Sequence, residues 1–102
     1  MMGTPSGRIR QSVLDWLKDP AVHFPPTSLH PDPADPADPA GTGVTARAVA
    51  AKLGVPRRTA AAHLDFLTRL GLLRTRRRFL RTYYRRDEAR IAEVAQLFEK
   101  NW

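Results

Sequence analysis

The stretch "AAKLGVPRRTAAAHLDFLTRLGLL", residues 50–73, contains two short helical patterns separated by "LGVP". Gly54 suits the left-handed residue that ends a helix, and Pro56 suits a helix start. The second helix opens on Arg57 and Arg58. Because the N-terminal end of a helix already carries partial positive charge, cations there cost stability unless an anion lies nearby. The stretch therefore predicts two helices joined by a tight turn. It also predicts that the start of the second helix binds an anionic partner.

This spacing is typical of a helix-turn-helix, whose second helix enters the major groove of DNA with its N-terminus first. Arg57 and Arg58 are then placed to contact guanine edges and phosphates. Thr45, at the start of the preceding helix, is a further candidate contact, and Thr59 and His63 are expected on phosphate. The alternative for His63 is a residue at the edge of the core, bonded to the backbone, since histidine is often partly buried.

The charge of the chain is concentrated in its second part. Residues 1–40 hold three basic and five acidic side chains, whereas residues 41–102 hold 14 basic and five acidic ones, which gives the net +7. A basic half of this kind favours nucleic acid or an anionic membrane surface as partner. There is no cysteine, no long apolar run and no apolar core of a signal peptide, so we expect a cytoplasmic protein. We expect no membrane partner, because the arginine-rich hairpin lacks the amphipathic helical face that surface binding prefers.

The region before Val44 predicts one helix and a linker. "SGRIRQSVLDWLKDP", residues 6–20, reads as a helix that Ser6 caps and Pro20 ends. Residues 25–42 form a Pro/Asp-rich linker within a single domain of residues 1–102. Its "DPADPADPA" repeat fits an exposed polyproline II conformation, although the "VHF" before it has the chemistry to enter the core.

After Val44 we expect a short strand, a helix capped by Thr45, the second helix, a hairpin and a last helix. The hairpin must turn near Arg78 and Phe79, where neither Gly nor Asn is present. This order is that of a winged helix-turn-helix: mainly α, with a small β-hairpin as the wing. The wing arginines expected to grip the DNA backbone are Arg76, Arg77, Arg78 and Arg81.

The first and last helices each carry an apolar stripe that a 102-residue monomer would leave exposed. Two copies of each stripe would close a twofold interface, so we expect a homodimer joined through these helices. The predicted interface residues are Ile9, Val13, Trp16, Ile91, Val94, Phe98 and Trp102.

Residues 44–91, "VTARAVAAKLGVPRRTAAAHLDFLTRLGLLRTRRRFLRTYYRRDEARI", and "VLDWLKDP" at 13–20 resemble the ArsR family of bacterial repressors. The resemblance implies a homodimer, joined through its first and last helices, that binds a palindromic operator near its own promoter. Two departures stand out: Pro56 replaces the family's usual serine cap, and alanines at 60–62 replace polar readers. Alanine contacts thymine methyl groups but donates no hydrogen bond, so direct readout falls on Arg57 and Arg58.

Other functions find less support in the sequence. A metal site is not expected: thiolates are absent, and prolines hold the candidate ligands His23, His30, Asp32, Asp35 and Asp38 apart. No cofactor or catalytic signature is present, so we expect no enzyme. The alternative is a winged-helix protein-interaction module without sequence-specific DNA binding. The salt dependence of duplex binding would distinguish this module from a DNA-binding regulator. Any small-molecule effector is left unidentified.

Overall fold

The chain folds as the winged helix-turn-helix that its sequence predicts. The computed structural model describes the backbone of residues 5–100 and the side chains of residues 6–97. The strands form one antiparallel sheet in the order β1-β3-β2. The elements in chain order are α1 (Pro5–Lys18), α2 (Pro20–His23), a 3₁₀ turn (Pro26–Ser28), β1 (Val44–Thr45), α3 (Ala46–Leu53), α4 (Arg57–Arg69), β2 (Leu73–Arg78), β3 (Arg81–Arg86) and α5 (Glu88–Lys100).

Local signals set the geometry of the helix-turn-helix. The Thr45 side chain accepts a hydrogen bond of 3.2 Å from the Ala48 amide and so caps α3, as predicted. Gly54 ends α3 with φ of 71°, in the left-handed conformation that glycine adopts without strain. Its amide donates to the Ala50 carbonyl across 2.8 Å. α4 begins at Arg57, with Pro56 just before the helix.

The core lies between α1, the α3–α4 pair and the inner face of the sheet. Its fully buried side chains are Val13, Val44, Val49 and Leu64, one from each of four elements. Ala60 is also fully buried on α4, where its small side chain allows the helix to lie close against its neighbours. Burial of this face aims the opposite face of α4 at solvent, which positions the candidate site.

α1 begins earlier than the sequence suggested. The helix already includes Pro5, so Ser6 lies inside it and the prediction that Ser6 caps it is wrong. Pro20 ends α1 as predicted but also starts the short helix α2. Phe24, after α2, is 4% exposed and its ring packs edge-on against Trp16 at 6.4 Å between centroids. The "VHF" segment therefore contributes to the core.

The Asp-Pro-Ala repeat folds into consecutive turns, and the polyproline II prediction is wrong. The carbonyls of Asp32, Asp35 and Asp38 each accept a hydrogen bond from the amide three residues later, at 2.9, 3.2 and 3.3 Å. The Asp32 and Asp38 carboxylates also accept amide hydrogen bonds from Ala34 and Ala40. Aspartate side chains commonly close turns in this way, because they bond the backbone two residues on.

The ends of this segment are held together. The Thr42 amide donates to the His30 carbonyl across 2.9 Å, and His30 also pairs with Gly43 in an isolated bridge. Residues 33–39 are exposed, but residues 40–43 are buried. The segment predicted as an exposed linker thus packs onto the domain at its C-terminal end.

Gly43 lies where the chain passes closest to the sheet. Its φ is 108°, and a Cβ atom at this position would lie 2.5 Å from the carbonyl oxygen of Tyr84. Non-bonded atoms do not approach so closely, so only glycine allows β1 to pair with β3 here. Gly54 provides a contrast, because a Cβ atom there would meet nothing within 4 Å.

We expect Gly43→Ala to lower the free energy of unfolding by roughly 2–4 kcal/mol, because it adds a steric clash to a strained φ. The control Gly54→Ala adds strain without a clash and should cost about 1–2 kcal/mol. Urea denaturation followed by circular dichroism measures both. Equal losses would mean that β1 moves away from Tyr84 without penalty.

Candidate nucleic-acid interface

The N-terminal end of α4 is an exposed, positively charged helix start. Pro56 offers no side-chain hydrogen bond to the helix, so the N-cap residue does not cap this end. Arg57 and Arg58 are both exposed. The first amides of any helix have no partner inside it, and here they lie beside two guanidinium groups. This end is therefore suited to an anion.

A crevice of about 230 Å³ joins this helix start to the wing. It brings together Arg57 of α4 and Arg81 of β3, both predicted from the sequence, and it adds Arg47 of α3, which the prediction missed. None of the lining residues that the structure describes is acidic. Its lining residues are Thr45, Ala46, Arg47, Arg57, Leu80, Arg81, Thr82 and Tyr84.

The wing arginines divide into two groups according to their contacts. Arg76 forms a hydrogen-bonded ion pair with Asp32, and an Nη1 atom of Arg78 lies 3.9 Å from the same carboxylate. By contrast, Arg77 and Arg81 make no ion pair or side-chain hydrogen bond with any residue that the structure describes. Of the four wing arginines predicted to bind DNA, two are thus occupied by the Asp-Pro-Ala segment and two are open.

Two further arginines of the hairpin serve the fold, whereas Arg74 is exposed and makes no ion pair or side-chain hydrogen bond with any residue that the structure describes. Arg85 donates to the Gly41 carbonyl across 3.0 Å, and Arg86 donates to the Leu14 carbonyl across 3.0 Å. Arg86 also forms an ion pair with Glu88. These contacts attach β3 to the Asp-Pro-Ala segment and to α1. The helix-turn-helix side differs, since Arg47, Arg57 and Arg58 have no such contact within the described part of the chain.

Asp32 is the acidic residue that binds Arg76 and lies close to Arg78. The Ala34 amide and Arg76 both donate hydrogen bonds to its carboxylate, and together with the Arg78 charge they lower the pKa of Asp32. Next to it, the ring of His30 packs against Tyr83 at 5.0 Å between centroids. Tyr83 is 5% exposed, so it is withdrawn from solvent.

His63 belongs to the core edge and not to the open face of α4. It is 8% exposed, and its Nδ1 atom accepts a hydrogen bond of 3.3 Å from Arg10 of α1. The Arg10 guanidinium also lies 3.6 Å from the centre of the Phe66 ring. Burial, aided by the Arg10 charge, lowers the pKa of His63. This position corrects the prediction that His63 contacts phosphate and supports the alternative of burial, with a side chain rather than the backbone as its partner.

The other predicted contacts on the helices are half-buried or buried. Thr59 and Thr45 are half-buried, and the Thr45 side chain already caps α3. Ala60 is fully buried, so it cannot contact a thymine methyl group, whereas Ala62 is exposed. The exposed residues of α4 are therefore Arg57 and Arg58 at its start and Ala62, Asp65 and Arg69 further along.

Tyr84 fixes the wing against α4. Its hydroxyl donates a hydrogen bond of 2.9 Å to Asp65 of α4, and its ring is 6% exposed. Burial and the neighbouring Asp65 carboxylate raise the pKa of Tyr84 to about 12. The hydroxyl therefore stays protonated and keeps donating throughout the physiological pH range. The distance between the helix start and the wing is set by this contact.

The predicted dimer residues fall into four groups. Val13 is fully buried inside the single chain, so it cannot lie between two copies, and the prediction that it belongs to the interface is wrong. Ile9 and Trp16 are half-buried against the core, with the Lys52 ammonium 4.9 Å from the centre of the Trp16 ring. On α5, Ile91 and Val94 are half-buried but do not pack on the core cluster. The Phe98 side chain and Trp102 lie outside the described residues.

Metal ligands do not converge in the described part of the chain. Within it, no three His, Asp or Glu side chains come close enough together to hold a metal ion. Likewise, none of the described helices is both long and apolar enough to cross a membrane.

Comparison with known proteins identifies the family. No protein-family model matches the chain. The sequence is 33% identical over 94 residues to the uncharacterized HTH-type transcriptional regulator YbzH of Bacillus subtilis (strain 168). The aligned region covers 92% of this chain and 87% of the relative. The chain belongs to the HTH-type transcriptional regulators. A match of 94 residues in a chain of 102 includes residues 9–94, so it spans both the helix-turn-helix and the hairpin of this HTH-type regulator.

The lowered pKa of His63 predicts a pH-dependent stability. Because the unfolded chain binds the His63 proton at a higher pH than the folded chain does, the free energy of unfolding should fall as pH drops below about 6.5. In His63→Asn, which retains an acceptor for Arg10, the fall should be smaller. Urea denaturation between pH 7.5 and 5.5 measures the slope. An unchanged slope in His63→Asn would contradict the assignment.

Proposed function

We propose that this regulator binds double-stranded DNA sequence-specifically, as a homodimeric repressor of the ArsR family. The observation that carries the proposal is the crevice lined by Arg47, Arg57 and Arg81, with no acidic residue among its described lining side chains. Three guanidinium groups from two helices and the wing suit a DNA phosphate at that point. The assignment to ArsR-type repression rests on the resemblance of residues 44–91 to that family.

Base readout is assigned to the start of α4. Arg57 and Arg58 are exposed and unpaired within the described chain, and an arginine fork matches the O6 and N7 acceptors of guanine. The open wing arginines, Arg77 and Arg81, then contact the sugar-phosphate backbone, which positions the protein without reading sequence. Specificity is thus concentrated in two adjacent side chains.

The homodimer is assigned to α5. Ile91 and Val94 present half-buried apolar surface that the core does not take up. Pairing of two α5 helices about a twofold axis would cover it and would set the two α4 helices about 34 Å apart, one turn of DNA. An operator with twofold sequence symmetry, a palindrome, follows from that arrangement.

We expect the affinity for duplex DNA to fall steeply with salt, because each neutralised phosphate contributes about −0.9 to the slope of log affinity against log salt. Arg57→Ala and Arg58→Ala should each cost roughly 1–3 kcal/mol on a duplex selected from random DNA, and should relax base choice. Arg81→Ala should weaken all duplexes alike and reduce the slope by about 1. Fluorescence anisotropy at several salt concentrations measures these effects.

Arg85→Ala is the matched control, because that arginine is bonded to the Gly41 carbonyl; it should leave the salt slope unchanged. A flat salt response in the wild type would contradict DNA binding and favour the protein-interaction module. Equal, sequence-independent losses from Arg57→Ala and Arg81→Ala would show that α4 reads no bases.

For the dimer, we expect Val94→Asp to give a folded monomer with much weaker operator binding, since it places a charge on the apolar stripe of α5. Gln96→Asp adds the same charge on the opposite, exposed side of the helix and should leave association intact. Sedimentation velocity at micromolar concentration measures association, and circular dichroism checks folding. A monomeric wild type would remove the palindromic operator from the model.

A further inference from the structure

The tip of the wing is a two-residue turn built from unusual residues. In the β2–β3 register Arg78 pairs with Arg81, so Phe79 and Leu80 alone connect the strands. Both have positive φ, at 50° and 64°. A hairpin turn of this geometry strongly prefers Asn-Gly, because bulky side chains are strained at positive φ. The chain therefore holds two large residues in a backbone conformation that suits neither.

The same two residues are the most exposed large apolar side chains that the structure describes. Phe79 is 87% exposed and Leu80 is 89% exposed. Their burial against the domain therefore cannot account for the strain. Strained turns of this kind cluster at positions where the side chain contacts a ligand.

The surroundings of the tip indicate what that ligand is. Arg77, Arg78 and Arg81 flank the two apolar residues, and the Arg78 guanidinium lies 5.8 Å from the centre of the Phe79 ring. Leu80 also lines the crevice that contains Arg57 at the start of α4. The apolar tip thus lies within the same basic surface as the helix that faces DNA. A strongly basic rim fits a polyanion better than it fits an apolar protein surface.

We propose that Phe79 and Leu80 form an apolar wedge that enters the minor groove of the bound duplex, partly unstacks one base step and bends the DNA. This inference rests on the proposed DNA binding. The proposal places α4 in the major groove and the wing tip in the adjacent minor groove. Apolar side chains such as Phe and Leu kink DNA there when they insert between base pairs, while neighbouring arginines hold the phosphates.

The wedge supplies specificity that α4 lacks. Beyond its two arginines, the middle of α4 carries alanines, one of them fully buried. Pyrimidine–purine steps such as TA and CA unstack most easily. A wedge therefore selects a deformable step at a fixed distance from the bases that Arg57 and Arg58 contact, without any hydrogen bond to that step.

The test replaces the tip by the sequence that the turn prefers, Phe79→Asn together with Leu80→Gly, in the full chain. This double variant removes the apolar surface but favours the hairpin. Its matched control is Val22→Asn on α2, which removes an apolar side chain that is 70% exposed and lies far from the wing tip in the sequence. The probes are 30-base-pair duplexes selected by the wild type from random DNA, with 2-aminopurine at successive steps and with dyes at both ends.

We expect wild type and Val22→Asn to raise 2-aminopurine fluorescence at one step and to shorten the end-to-end distance measured by energy transfer. The double variant should bind with the same salt slope but lose both signals. The preference for a TA or CA step over an AA step, several-fold in the wild type, should fall to about one. The thermal unfolding midpoint of the double variant should equal or exceed that of the wild type, because the strain in the turn is relieved.

Several results would overturn the wedge. One is that the wild type binds without unstacking or bending the DNA, and another is that the double variant bends DNA as the wild type does. A third is a lower thermal midpoint for the double variant, which would mean that the tip packs within the chain. Loss of self-association in the double variant with unchanged bending would make the tip an interface between copies. If the wild type binds no duplex in a salt-dependent way, the proposed function itself fails, and that outcome is distinct from binding without bending.

Discussion

The hydrogen bond from the Tyr84 hydroxyl to Asp65, 2.9 Å long, is the contact on which the candidate interface depends. Tyr84 belongs to β3 and Asp65 to α4, so the bond joins the wing to the helix whose N-terminus carries Arg57. The same tyrosine pairs with Val44 of β1, and Gly43 closes against its carbonyl group. The wing therefore cannot move relative to α4 without breaking both the core and the sheet. Such preorganisation lowers the entropic cost of binding a partner of fixed geometry, such as a duplex.

The distribution of arginine contacts explains why a count of arginines is a poor guide to the binding surface. Arg10, Arg85 and Arg86 each bond another part of the fold, and Asp32 holds Arg76 with Arg78 close by. These side chains carry much of the positive charge that suggested an anionic partner, yet they stabilise the free protein. The arginines left open in the described chain include Arg69 and Arg74 as well as Arg47, Arg57, Arg58, Arg77 and Arg81. Of these, Arg47, Arg57 and Arg81 share the crevice at the start of α4. Position relative to α4, and not total charge, marks the surface for the ligand.

Features set by local signals could be predicted from the sequence. The Thr45 cap, the left-handed Gly54 and the alternation of the hairpin all follow from residues a few positions apart, and the order of elements followed from them. Contacts between distant residues could not be predicted in this way. Arg10 meets His63 across 53 positions, and Arg76 meets Asp32 across 44. Arg47 was missed because a single charge on a short helix looks like an ordinary solvated residue, and only the fold brings it to the wing.

The hydrogen bond between His30 and Thr42 means that the chain leaves the domain and returns to it at almost the same point. Everything between Pro33 and Pro39 is an excursion whose two ends are already fixed. The entropic cost of closing such a loop rises only slowly with its length, and exposed loops of this kind are where insertions are best tolerated. A reporter domain inserted there would leave the spacing of the helices and wing unchanged. In relatives of different length, this is also the place where extra residues are most easily accommodated.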